Sequence, residues 1–176
     1  MKHFLVVVDM QNDFINGSLG SKEAENIVDA AADMIKNFCG EIFITLDTHF
    51  EDYLSTSEGK KLPVMHCING THGWQLNAKI AAALDGSKSI TKVEKLTFGS
   101  TKLPLLIEKA AGDEDFDITL IGLCTDICVV SNALMLKAHF PEKDITVDAD
   151  LCAGVTPDSH IAALATMKMC QINIKE

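Results

Sequence analysis

Short apolar runs alternate with segments of helical periodicity from one end of the chain to the other. Runs at Phe4–Val8, Glu41–Leu46, Ser89–Val93, Ile118–Ile121, Ile145–Val147 and Gln171–Ile174 have the length of strands. The early ones are continuous and β-branched rather than alternating, the pattern of strands buried on both faces. Between them, helices fit at Lys22–Phe38, Gln75–Leu84, Thr101–Ala111, Asp126–Ala138 and Pro157–Met167. Ser100 is the candidate cap of the third helix, and Pro104 sits in its first turn, where a missing N–H costs nothing. This alternation predicts an α/β fold, a three-layer Rossmann-like open sheet of about six parallel strands with helices on both faces. No repeat, low-complexity tract or linker interrupts it, so residues 1–176 read as one domain. The longest stretch without a clear element, Phe50–Trp74, has a length that in a compact domain usually signals function.

A 47% hydrophobic composition is enough for an ordinary core. The formal net charge of −10 repels phosphate backbones and anionic lipid, so neither nucleic acid nor membrane is an expected partner. The N-terminal apolar run ends at Asp9, too short for a signal-peptide core or a membrane span, which predicts a cytoplasmic protein. There the six cysteines would stay reduced. No CxxC pair is present, so neither a zinc ribbon nor a thioredoxin-type motif is indicated.

In open α/β sheets, ligands bind beyond the carboxyl ends of the strands. Here the first expected strand is followed by Asp9, the second by Asp47-Thr48-His49 and the third by Lys95. The fourth leads into Cys124-Thr125-Asp126-Ile127-Cys128. Groups able to act as acids, bases, nucleophiles or ligands therefore converge on one edge. Cys128 falls just inside an expected helix start, with Thr125 and Asp126 as candidate caps, where backbone N–H groups favour a thiolate. Lys95 would add positive charge, and Asp9 could carry a proton between thiol and leaving group. Read singly, each has a plainer role: a cap for Asp9, a surface charge for Lys95, a core residue for Cys128.

The motifs DMQNDF at 9–14, DTH at 47–49, HCINGTHGW at 66–74, KLTFGS at 95–100 and GLCTDICV at 122–129 occur in the order of a known family. Together they resemble the isochorismatase-like cysteine hydrolases, specifically their metal-containing nicotinamidase branch. The resemblance implies Asp9 as catalytic acid/base, Lys95 as catalytic lysine and Cys128 as nucleophile. It also implies a cis peptide before Cys124, with the Cys124 and Cys128 backbone N–H groups forming an oxyanion hole. Asp47, His49, Glu58 and His66 match the ligands of one divalent ion, for which imidazole and carboxylate donors suit zinc, with iron or manganese as alternatives. Phe14 matches a pocket aromatic, and Phe98 and Ile127 are further expected substrate contacts. The chain departs from the nicotinamidase pattern at Pro63, where an aromatic is common, and at Ile127, where His or Tyr is common.

The function implied is hydrolysis of a small amide through a thioester, with nicotinamide to nicotinate and ammonia as the leading reaction. The expected partner is thus a small-molecule amide, and the sequence leaves a homo-oligomer open. All 15 basic residues are lysine, so the planar guanidinium that best clamps a carboxylate is missing and a neutral substrate is favoured. Two other readings stand beside this one. One is a family amidohydrolase acting on another small amide or ureido compound. The other is a non-catalytic Rossmann-like binding domain, although GSLG at 17–20 is not a GxGxxG turn.

Overall fold

The computed structural model describes residues 1–86 and 89–176. Six strands form one sheet: β1 (Lys2–Val8), β2 (Glu41–Asp47), β3 (Ile90–Lys95), β4 (Phe116–Leu123), β5 (Ile145–Ala153) and β6 (Asn173–Lys175). Every pairing is parallel and the order is β3-β2-β1-β4-β5-β6, as the alternating pattern predicts. The helices are α1 (Asn12–Ile15), α2 (Lys22–Asn37), α3 (Ser57–Lys61), α4 (Ala78–Ala83), α5 (Lys102–Ala111), α6 (Val130–His139) and α7 (Pro157–Met169).

Alternate residues of the central strand feed two cores. Phe4, Val6 and Val8 pack with Leu103 and Ile107 of α5 and Leu136 of α6. Leu5 and Val7 face the other way, against Ile27, Val28, Ala31 and Ile35 of α2 and Ile80 of α4. This explains why β1 reads as unbroken apolar sequence: each face has its own helical cover. Helix α2 opens at Ser21, whose hydroxyl accepts the Ala24 N–H (3.1 Å). Helix α7 opens with a reciprocal Thr156–Ser159 capping box and Pro157 in its first turn.

Several expected boundaries move, each for a local reason. The helix expected over Gln75–Leu84 is only Ala78–Ala83, because the Gln75 carbonyl accepts the Asn12 N–H and Asn77 supplies the cap. The strand expected to stop at Val147 runs on to Ala153. Asp148 and Asp150 look like turn residues in sequence, but buried Asp148 is neutralised across the sheet by Lys175 (2.7 Å). The last strand is Asn173–Lys175, since Gln171 adopts φ +64° as the chain leaves α7. Ser100 does not cap α5; its N–H instead donates to Asn132 Oδ1 (3.0 Å).

Gly122 holds β4 against β1. Its φ is +118°, and a Cβ there would lie 2.1 Å from the Val8 carbonyl oxygen, an unyielding backbone atom. Gly122→Ala should therefore destabilise the protein by about 2–4 kcal/mol, combining backbone strain with displacement of the strand next to Asp9. Urea unfolding of the variant checks this, and an unchanged midpoint would contradict it.

Candidate active site

Four adjacent strands, β3, β2, β1 and β4, each lead into one charged or nucleophilic side chain at the carboxyl edge of the sheet. Asp9 follows β1 with φ +48°, a left-handed conformation that a non-glycine residue adopts rarely and that is concentrated at functional sites. Asp47 and Lys95 end neighbouring strands and are direct register partners. Cys128 lies in the turn after β4. Lys95 Nζ is 2.6 Å from Asp9 Oδ2 and donates to Asp47 Oδ1 (3.1 Å) and to Cys128 Sγ (3.5 Å). The other Asp9 oxygen accepts the Thr45 hydroxyl (2.7 Å). All of these groups are buried.

Burial sets the charge states. It would lower the Lys95 ammonium, but Asp9 above all, with Cys128 and Asp47, raises it, so Lys95 stays a cation. Burial raises Asp9, with the Asp47 charge adding to it and Lys95 opposing. Burial would raise Asp47 too, yet hydrogen bonds from His49 and His66 and the charge of Lys95 hold it well below the usual carboxylate range. For Cys128, burial and then the Asp9 charge push the thiol up further than Lys95 pulls it down. Burial and the Asp9 charge thus favour the protonated thiol, opposing the pull of the turn's N–H groups toward the thiolate, beside a buried acid able to take its proton.

The turn itself also differs from expectation. Thr125–Val129 forms a single wide π-type turn before α6, entered through a cis peptide between Leu123 and Cys124. Neither Thr125 nor Asp126 caps it. The Thr125 hydroxyl pairs with His160 Nδ1 (2.8 Å), and the Asp126 carboxylate accepts the Val155 N–H (3.1 Å), so both tie the turn to the start of α7. The Ile127 and Val129 N–H groups both donate to the Cys124 carbonyl (3.1 and 3.0 Å), curling the chain so that Cys124 and Cys128 face one cavity. Asn132, one turn later, donates to the Cys128 carbonyl (2.8 Å).

Asp47, His49, Glu58 and His66 offer ligand atoms that all lie within 4.8 Å of one another. His49 Nε2 is 3.0 Å from Asp47 Oδ2 and 3.7 Å from Glu58 Oε1, and His66 Nε2 is 3.5 and 3.8 Å from the same oxygens. Those separations suit four donors bound around one ion at metal–ligand distances of about 2.0–2.2 Å. The His66 ring is oriented for this, because its Nδ1 bonds the Val64 carbonyl (2.8 Å) and turns Nε2 inward. Residues far apart in sequence meet because His49 and Ile68 pair as an isolated parallel bridge, with the His49 N–H donating to the Cys67 carbonyl (2.9 Å), and the Asp13 carboxylate accepts the Cys67 N–H (2.7 Å). Glu58 rides on α3, capped by the Thr56 hydroxyl. These four residues make up a group able to hold one metal ion.

A cavity of about 430 Å3 opens over Cys128 and the metal cluster. Phe14, Phe98 and Ile127 line it, together with Leu19, Leu62 and Val155. Pro63 is not on its wall; the neighbouring Leu62 takes that side.

Sequence reasoning missed the supports. Gln11 brackets Asp47, donating to its carbonyl (2.8 Å) and accepting its N–H (2.8 Å). The Asp13 side chain, Thr45, Asn132 and His160 were equally silent. Only the fixed spacing of Asp9, Gln11 and Asp13 after one strand could have flagged the first two.

Residues 3–174 match the family model described as the isochorismatase domain. The chain belongs to the isochorismatase family. Among solved structures of family-like fold, the nicotinamidase/pyrazinamidase of Bacillus subtilis superposes with a TM-score of 0.84 at 26% identity, covering 100% of both chains. The Pyrococcus horikoshii pyrazinamidase, solved in complex with zinc, gives 0.82 at 25% identity over 100% of this chain and 99% of that one. The N-carbamoylsarcosine amidase of Thermoplasma acidophilum gives 0.77 at 27% identity over 100% and 96%. Among the described residues of this isochorismatase-family chain, no helix is long and apolar enough to cross a membrane.

Proposed function

We propose that this protein hydrolyses a small neutral carboxamide through a thioester on Cys128, with nicotinamide as the leading substrate. The observation that carries the reading is the buried ammonium of Lys95, which contacts the Asp9 carboxylate, the Asp47 carboxylate and the Cys128 sulfur at once. As Cys128 Sγ bonds to the carbonyl carbon, the thiol proton passes to Asp9. The oxyanion is held by the Cys124 and Cys128 N–H groups. Asp9 then returns the proton to the departing nitrogen, the C–N bond breaks and ammonia leaves. A water, deprotonated by Asp9, attacks the thioester; the C–S bond breaks and the thiol recovers its proton, leaving the free acid. Lys95 stays charged throughout and favours whichever of Asp9 and Cys128 is anionic.

Asp47, His49, Glu58 and His66 would hold one divalent ion, zinc by their donor chemistry, with iron or manganese as alternatives. When bound, it supplies a Lewis-acid anchor for a nitrogen or oxygen of the substrate. All six cysteines are free thiols.

The likeness to a carbamoyl amidase favours a second reading, hydrolysis of a carboxylated ureido compound. Against it, no arginine exists in the chain, and Lys95, the only lysine at the site among the described residues, is already engaged by two carboxylates. Ammonia release should be faster from nicotinamide or pyrazinamide than from N-carbamoyl amino acids or ureidoacrylate, and isochorismate should be left intact. A carboxylated ureido compound turning over best in that comparison overturns the first reading in favour of the second.

A further inference from the structure

The side chains lining the cavity are of two kinds. Cys124, Cys128, Asp47, Glu58 and His66 are the reacting and ligating groups. Phe14, whose ring centroid lies 5.6 Å from that of His66, and Ile127, next to Cys128, are apolar positions beside them, and Leu19, Leu62, Phe98 and Val155 complete the apolar lining. The remaining polar side chain is Ser21, whose oxygen already accepts the Ala24 N–H at the start of α2. Among the described residues, no charged side chain other than Asp47, Glu58 and His66 lines the cavity.

Size and exposure sharpen the contrast. A cavity of about 430 Å3 lies in the range that encloses drug-sized ligands, larger than a single-ring amide. The apolar wall also continues outward: Leu62, Phe98 and Val155 are 38%, 43% and 56% exposed. Large apolar side chains left open beside a reactive thiol mark surface that a ligand covers.

Resting on the carboxamide-hydrolase reading, we infer that the preferred substrate is a carboxamide bearing an uncharged apolar substituent of several carbons remote from the amide. The reacting end is held at Cys128 and the metal cluster, and the substituent lies against the aliphatic wall. Each methylene transferred from water to that wall contributes about fourfold in kcat/KM. A charged substituent there would lose its hydration without gaining a partner.

Ammonia release decides the matter, measured with nicotinamide, its 4-, 5- and 6-propyl derivatives and the matching 2-carboxyethyl derivatives. At least one propyl isomer should exceed nicotinamide by tenfold or more in kcat/KM, while its carboxyethyl counterpart falls below nicotinamide. Val155→Ser and Leu62→Ser should each cut the propyl-to-parent ratio several-fold, a readout that does not depend on the absolute activity of either variant. Hydrolysis of nicotinamide with every propyl isomer slower overturns this inference and leaves the hydrolase reading intact. No ammonia from any of these compounds overturns both.

Discussion

Replacing Cys128 with alanine should lower ammonia release by a factor of about 10⁴ or more while the protein stays folded. The magnitude follows from loss of a nucleophile that acts as a unit with its proton acceptor, since such removals commonly cost that much. Asp9→Asn should cost about 10²–10⁴, the usual range for a general acid–base group. Lys95→Met is different in kind. It leaves the buried Asp9 and Asp47 carboxylates without their shared cation, so stability should fall by about 3–5 kcal/mol along with turnover. Comparing thermal unfolding with activity separates the cases: Cys128→Ala should keep its melting temperature and Lys95→Met should not. Near-normal turnover by folded Cys128→Ala would rule out the thioester route.

The second large effect concerns the metal cluster. Elemental analysis of gently purified protein should find close to one divalent ion per chain. His49→Ala or His66→Ala should weaken its binding by about 10²–10³-fold, because four-ligand zinc sites carry about 10–16 kcal/mol in total. Cys128→Ala should leave metal content unchanged. The pH dependence has a defined sign. Burial alone would lower the His66 imidazole, but its hydrogen bonds to Asp47 and the Val64 carbonyl, with the Asp47 and Glu58 charges, raise it above the ordinary value of about 6.5. In metal-free protein this contributes stability that is present below about pH 6.5 and lost as pH rises through the folded value. Metal binding needs the neutral ring, so the linkage reverses and zinc should raise the melting temperature more at pH 8 than at pH 6. A zinc-induced shift that is larger at pH 6, or metal content unaffected by both histidine replacements, would show that the site lies elsewhere.

The architecture was legible because its signals are local. Continuous β-branched runs mark doubly covered strands, and the helix periodicity of Lys22–Asn37 needs no tertiary knowledge. Legibility failed where a distant partner changes what a residue can be. Asp148 is unremarkable as a turn residue until Lys175 neutralises it from the neighbouring strand. Thr125 and Asp126 suit helix caps by type, but His160 and the Val155 N–H claim their side chains. The strand-end residues Asp9, Asp47, Lys95 and Cys128 could be placed on one edge from the expected topology. Glu58 and His66 could not, since the Phe50–Trp74 segment has no periodicity. Only their likeness to family motifs singled them out. The surroundings of Cys128 were hidden for a related reason: sequence shows the helix start and the lysine, but not that the thiol is buried beside Asp9, which raises it.

The ion cluster around Lys95 also bears on how the chain avoids wrong structures. A parallel pair of apolar strands such as β1 and β2 offers little to distinguish one alignment from another, because valine and isoleucine neighbours look alike at every step. The pairing of β2 with β3 sets Asp47 opposite Lys95. A slip of one residue would turn Lys95 to the opposite face, stranding two carboxylates in an apolar interior at a cost of several kcal/mol. Competing arrangements that bury just as much hydrocarbon are thereby penalised, and the three charges select one sheet from several that the aliphatic residues alone would accept.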